Sequence, residues 1–158
     1  MRQWVLSLPK RLRYPLQHDR EALDSALRSF LAAVEQHLRT HSPGAGPAAR
    51  AGAVAFIHRF GASLNPHPHF HVCVIDGVFE PDPERGVRFI EAEELDAEDA
   101  EAVQTQVRRR LLRAFEGRGR LEKADRQEME QWEHGGGFSL DASVRIEAPV
   151  RRQDKLPS

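Results

Sequence analysis

Polar and apolar residues alternate along RQWVLSL, with Trp4, Leu6 and Leu8 on one side and Gln3, Val5 and Ser7 on the other. A period of two is the signature of a strand packed on one face, and predicts one over residues 2–8, closed by Pro9. The pattern then changes period. Leu23, Leu27, Phe30, Leu31, Val34 and Leu38 recur at helical spacing behind Asp19, a suitable N-cap. This helix is expected to stop before SPGAGPAARAG, a Pro/Gly loop at 42–52. Residues 53–65 predict a second strand, weakened near Gly61, and 68–75 a third, followed by the turn signal Asp76-Gly77. VFE and VRFI read as hairpin partners across PDPERG. Val103, Val107, Leu111 and Phe115 then mark a second long helix capped by Asp96, and a shorter helix is expected over 121–132. After the glycine-rich turn HGGG, Phe138, Leu140, Ala142, Val144 and Ile146 alternate in a last strand at 138–147.

This order keeps strand runs apart from helix pairs. It predicts an α+β fold: an antiparallel sheet of about five strands with helices on one face. Residues 1–148 read as one domain. The tail 149–158 has no apolar period and is expected to be disordered.

One stretch does not follow from packing. In NPHPHFHVCVIDG, residues 65–77, Asn65, His67, His69 and His71 occupy every second position while Phe70, Val72 and Val74 occupy the others. On a strand the polar four share a face. His69 and His71 would stand about 7 Å apart along the strand, close enough for two imidazoles to converge on one ion. His67, before Pro68, is either a third ligand or a neighbour. The competing reading is a solvated, pH-sensitive histidine edge. His58 is read as structural, in the neighbourhood of the site, and Asp76 as a turn residue or else a support behind the ligands. Gly135–Gly137 are expected to form a turn and not a phosphate cradle, because no helix follows them.

Composition narrows the setting. The chain has 158 residues, 40% apolar and 30% charged, which suits one folded domain. There is neither an apolar run that could span a bilayer nor a signal peptide. Cys73 is the single cysteine, so neither an internal disulfide nor a cysteine zinc cluster is available, and a cytoplasmic setting is expected. The net charge of −1 conceals segregation: residues 1–14 carry Arg2, Lys10, Arg11 and Arg13 without an acid, whereas 91–101 are strongly acidic. Arg11, Arg13 and Arg59 are therefore candidate phosphate contacts, alongside their reading as solvated surface.

Three chemistries use a His-x-His strand. A cupin-like enzyme acting on a small molecule would add a carboxylate such as Asp76, but cupins are barrels with little helix. A metal hydrolase barrel needs a longer chain. A nuclease that clamps a scissile phosphate with a metal fits an antiparallel sheet with helices on one face.

RQWVLSLPKRLRY, FIHRFGASLNPHPHFHVCVIDGVF and GGGFSLDASVRIEA together resemble the transposases of bacterial rolling-circle elements. These are two-tyrosine enzymes of the insertion-sequence-ninety-one family, in the HUH (His-hydrophobe-His) endonuclease class. The resemblance covers most of residues 1–148 and is most specific over 56–79. It implies a ferredoxin-like, Rep-type palm in which His69-Phe70-His71 is the HUH motif, binding Mg²⁺ or Mn²⁺. It also implies single-stranded DNA at element ends as the partner, nicked and rejoined through a covalent 5′-phosphotyrosine. The tyrosine of that family lies on a helix beyond the SVRIEA strand, and its cysteine-rich zinc domain lies at the amino terminus. Neither is found in residues 1–158. Tyr14 is the only tyrosine and matches a structural position of the family. The expectation is a fragment, the metal-and-DNA half of a transposase, inactive in strand cleavage on its own.

Overall fold

The structure, a computed structural model, describes residues 1–60 and 66–146. The expectations for Gly61 and Asn65, for the end of the last strand at 147 and for the tail 149–158 lie outside the described residues.

Six strands and four helices follow in the order β1 (Arg2–Ser7), α1 (Lys10–His18), α2 (Arg20–Thr40), β2 (Ala53–Phe60), β3 (Pro66–Val74), β4 (Gly77–Asp82), β5 (Gly86–Glu91), α3 (Ala97–Gly117), α4 (Lys123–Gln131) and β6 (Ser139–Arg145). The fold is α+β with antiparallel pairing, as the alternation predicts. The strands divide into two sheets instead of one of about five: a four-stranded sheet in the order β2-β3-β1-β6, and a separate β4-β5 hairpin. The hairpin is the VFE/VRFI pair. It joins the rest through a bridge between Arg50 and Phe79 and does not extend the main sheet. With the hairpin and the short helices set aside, β1-α2-β2-β3-α3-β6 is a βαββαβ arrangement whose two inner strands are β1 and β3.

One helix departs from the sequence expectation. Pro9 ends β1 but also stands at the N-cap of α1, which holds Tyr14 and continues through Pro15. Pro15 removes one backbone donor, yet the helix is held by burial of Leu12 and Leu16, each 1% exposed. Tyr14 therefore sits on a regular helix, one that the alternation closed by Pro9 does not announce. Its ring is stacked on His18 at 4.3 Å between centroids and is 72% exposed.

Register fixes what each face of the sheet carries. Val5 pairs with His71 and Ser7 with His69 on one side of β3; Phe56 pairs with His71 and His58 with His69 on the other. Cross-strand partners share a face, so the histidines stand with Val5, Ser7, Phe56 and His58. Trp4, Leu6, Phe70 and Val72 point the opposite way and are fully buried, in one core with Phe30, Val34 and Leu38 of α2 and Val107, Leu111 and Phe115 of α3. Among the described residues helices cover that face only, and Val54 and Phe56 on the histidine face are more than half exposed.

The acidic run 91–101 leads from the end of β5 through the N-cap Asp96 into the first residues of α3. Asp96 caps Glu98 and Asp99, and Asp99 returns a bond to the Asp96 N–H, so these charges sit where the helix dipole favours them. At the far end, Gly135, Gly136 and Gly137 all have positive φ. Gly136 takes φ 61°, a conformation that L side chains rarely adopt, so the turn into β6 favours glycine there. Among the described residues no helix is long and apolar enough to cross a membrane.

Candidate metal centre

Three ring nitrogens, one each from His58, His69 and His71, lie within 4.8 Å of one another on the open face. Inner strand β3 supplies two of them by its period of two. The edge strand β2 supplies the third because His58 is in register with His69. Ring centroids are 5.1 Å apart for His69 and His71, 5.1 Å for His58 and His69, and 4.4 Å for His58 and His71. The β2–β3 register shifts just beyond His58, an irregularity of the sort that re-aims side chains beside sites.

Each β3 histidine has a partner that controls its tautomer. His69 Nδ1 lies 2.8 Å from the carbonyl oxygen of His67, so Nδ1 donates and the Nε2 lone pair is free. His71 Nδ1 lies 2.9 Å from the side-chain amide nitrogen Nε2 of Gln3, whose N–H donates to it and leaves the ring proton of a neutral His71 on Nε2. Turned over so that its oxygen meets the ring, that amide instead accepts from Nδ1 and frees Nε2. Gln3 comes from the neighbouring inner strand, opposite Cys73.

Burial, then the nearby His58 and His69, hold the His71 imidazole below its ordinary pKa. Burial, then Arg13 and His69, do the same to His67. Both effects favour the neutral ring, the form that ligates a metal. Three imidazole nitrogens this close together fit a divalent ion with affinity for nitrogen. Of the two ions expected, Mn²⁺ suits this donor set better than the oxygen-seeking Mg²⁺.

The other residues singled out in the sequence fall as follows. His67 stands beside the cluster, its ring centroid 5.6 Å from that of His69, and lies outside the three-nitrogen group. Arg13 on α1 is half-buried and close enough to act on His67. Arg59 is exposed on β2. Arg11 is paired with Asp125 and, at 3.7 Å, with Glu128 of α4. Arg2 is buried, bonds the carbonyls of Ala142 and Leu95, and lies 3.6 Å from Asp76. The acid-free appearance of residues 1–14 thus dissolves in three dimensions for Arg2 and Arg11. Asp76 also meets the amino terminus at 3.4 Å, so it is engaged with β1 and not with the histidines. The open four-stranded sheet is not a barrel, which removes the structural basis of a cupin-like site.

The sequence reading leaves His58 near the site without a ligand role and misses Gln3. His58 has a visible signal, its place in the alternation of AVAFIHRF, but its register with His69 is set by the pairing of β2 with β3. Gln3 carries no signal at all, since an alternating polar residue on a strand is ordinary.

The profile of a family described as "Putative transposase" matches residues 52–156, from just before β2 to beyond β6. No curated protein and no solved structure matches the chain. The match spans well over half of the sequence and includes all three clustered histidines, and the chain belongs to this transposase family.

Proposed function

We propose that this member of a transposase family holds a divalent metal at His58, His69 and His71 and binds single-stranded DNA, at the ends of its element, across the open sheet face. In this reading it is the metal-and-DNA half of a rolling-circle, His-hydrophobe-His domain for strand nicking and rejoining. The observation that carries the reading is the three-histidine cluster on an uncovered sheet face, in a chain of transposase ancestry.

When bound, the ion supplies Lewis-acid polarisation of a backbone phosphate. The protein's own residues do the rest. His67, through its carbonyl, and Gln3, through its amide, orient His69 and His71. Arg13, beside His67, is placed to meet a phosphate oxygen near the cluster, and Arg59 offers a second cation on the edge strand. Phe56, opposite His71 and 53% exposed, gives a nucleobase an aromatic surface to stack on. Tyr14 makes its ring contact with His18, and we assign it no covalent step.

Calorimetric titration with Mn²⁺ tests the metal assignment. The wild-type chain is expected to bind one equivalent more than the His69→Ala/His71→Ala variant. Equal stoichiometry in two folded proteins would place the ligands elsewhere.

A further inference from the structure

A second convergence of ligating atoms lies on the helical side of the molecule. His37 and His41, one turn apart near the end of α2, meet Asp99 from the first turn of α3. Both imidazoles approach the same carboxylate oxygen. His37 Nε2 is 2.9 Å from Asp99 Oδ1, and His41 Nε2 is 3.4 Å from it. The two rings are stacked, with centroids 4.1 Å apart.

The hydrogen bonds around this trio leave an unresolved demand. His41 Nδ1 lies 2.9 Å from the carbonyl oxygen of His37, so its proton is committed there. With Nδ1 so committed, His41 turns Nε2 toward a carboxylate oxygen, a geometry in which one cation could be shared by both atoms. Asp99 is fixed in the same way. Its Oδ2 accepts the Asp96 N–H at 2.7 Å in the capping box, which leaves Oδ1 turned toward the imidazoles. Backbone partners that orient ligand side chains are a usual accompaniment of metal sites.

We propose that His37, His41 and Asp99 form a second divalent-metal site, of the zinc type, that ties α2 to α3. Two imidazoles and a carboxylate are an N/O donor set suited to Zn²⁺, which bonds such atoms at about 2.0–2.2 Å. In a tetrahedron with bonds of that length, ligand atoms stand about 3.3–3.5 Å apart. The observed separations of 2.9 and 3.4 Å are within a small adjustment of that edge. The His37 and Asp99 side chains are 11% and 16% exposed and His41 33%, so the trio is sheltered on one side and open on the other to an ion and a water in the fourth position. This site is independent of the sheet cluster, because it uses other residues on the covered side of the sheet.

The test is Zn²⁺ titration by calorimetry of the full chain carrying His69→Ala/His71→Ala, which disables the sheet cluster. One equivalent is expected to bind, and His41→Gln or His37→Gln in that background is expected to abolish it. In the otherwise wild-type chain, His41→Gln should lower the stoichiometry by one. A folded background protein that binds no Zn²⁺, or binding that survives both substitutions, would overturn the proposal. Should the substituted chains fail to fold, wild-type hydrogen exchange decides. Zn²⁺-dependent protection of amides at 37–41 and 97–100 supports the site, and unchanged exchange there refutes it.

Discussion

The histidines of the sheet and those of the helices reach their clusters by different geometry. On β3 a period of two puts His69 and His71 on one face, and strand pairing adds His58 from β2. At the end of α2 the spacing of four brings His37 and the C-cap residue His41 together, and helix packing adds Asp99 from α3. The first cluster is all imidazole and looks onto an uncovered face. The second includes a carboxylate, is partly sheltered, and has two of its groups already bonded to one another. An open nitrogen-only cluster would leave coordination positions for an incoming phosphate, whereas a partly sheltered mixed cluster would join two elements. Placement, more than ligand identity, separates a site fit for a substrate from one fit for structure.

Both clusters depend on elements whose other face is core, and the sharpest way to separate face from face is on β3. Phe70→Ala should destabilise the chain by about 3–5 kcal/mol, because its ring is fully buried, whereas His69→Ala in the metal-free protein should change stability by only about 0.5 kcal/mol. Urea unfolding of both variants measures this. Similar losses would mean that the histidine face is also packed.

A smaller effect distinguishes the clusters from each other. Gln3→Leu keeps the side-chain volume but removes the group that orients His71. It should weaken Mn²⁺ binding at the sheet cluster about 10–100-fold and leave the Zn²⁺ affinity of the helix cluster unchanged. Calorimetry on the two ions gives the comparison, and an unchanged Mn²⁺ affinity would remove Gln3 from the site.

The smallest effect is shared. His37, His67 and His71 all have pKa values below the ordinary histidine value of 6.5, with burial as the leading cause in each. Below 6.5 the unfolded chain then takes up protons more readily than the folded one. The associated stability is present in full above that pH and is lost as the pH falls through the lowered folded-state values. Urea midpoints of the metal-free chain should therefore decline from pH 6.5 toward 5, before most carboxylates titrate. A midpoint that holds steady or rises over that interval would contradict these directions.

What the sequence made legible follows the same division. Alternation marks β1, β3 and β6, and the spacing of Val103, Val107, Leu111 and Phe115 marks α3, because each pattern is local. His69 and His71 were readable for the same reason. Helix α1 was hidden by Pro9 and Pro15, whose local preference was overridden by burial of Leu12 and Leu16. The separation of the β4-β5 hairpin into its own sheet, the arrival of His58 and the arrival of Asp99 beside His37 are all decided by pairing or packing between distant segments. The charge pattern misled in the same way: Arg2 and Arg11 look free along the chain, yet meet Asp76, Asp125 and Glu128 in space.

The central claim is that the histidine face binds single-stranded DNA through a metal. Fluorescence anisotropy of a labelled single-stranded oligonucleotide, with Mn²⁺ and then with chelator, tests it in the wild type and in His69→Ala/His71→Ala. Mn²⁺ should tighten binding by about tenfold, or about 1.4 kcal/mol, in the wild type and leave the double variant unchanged. Equal affinity with Mn²⁺ and with chelator in the wild type, or an equal Mn²⁺ effect in both proteins, would contradict the account.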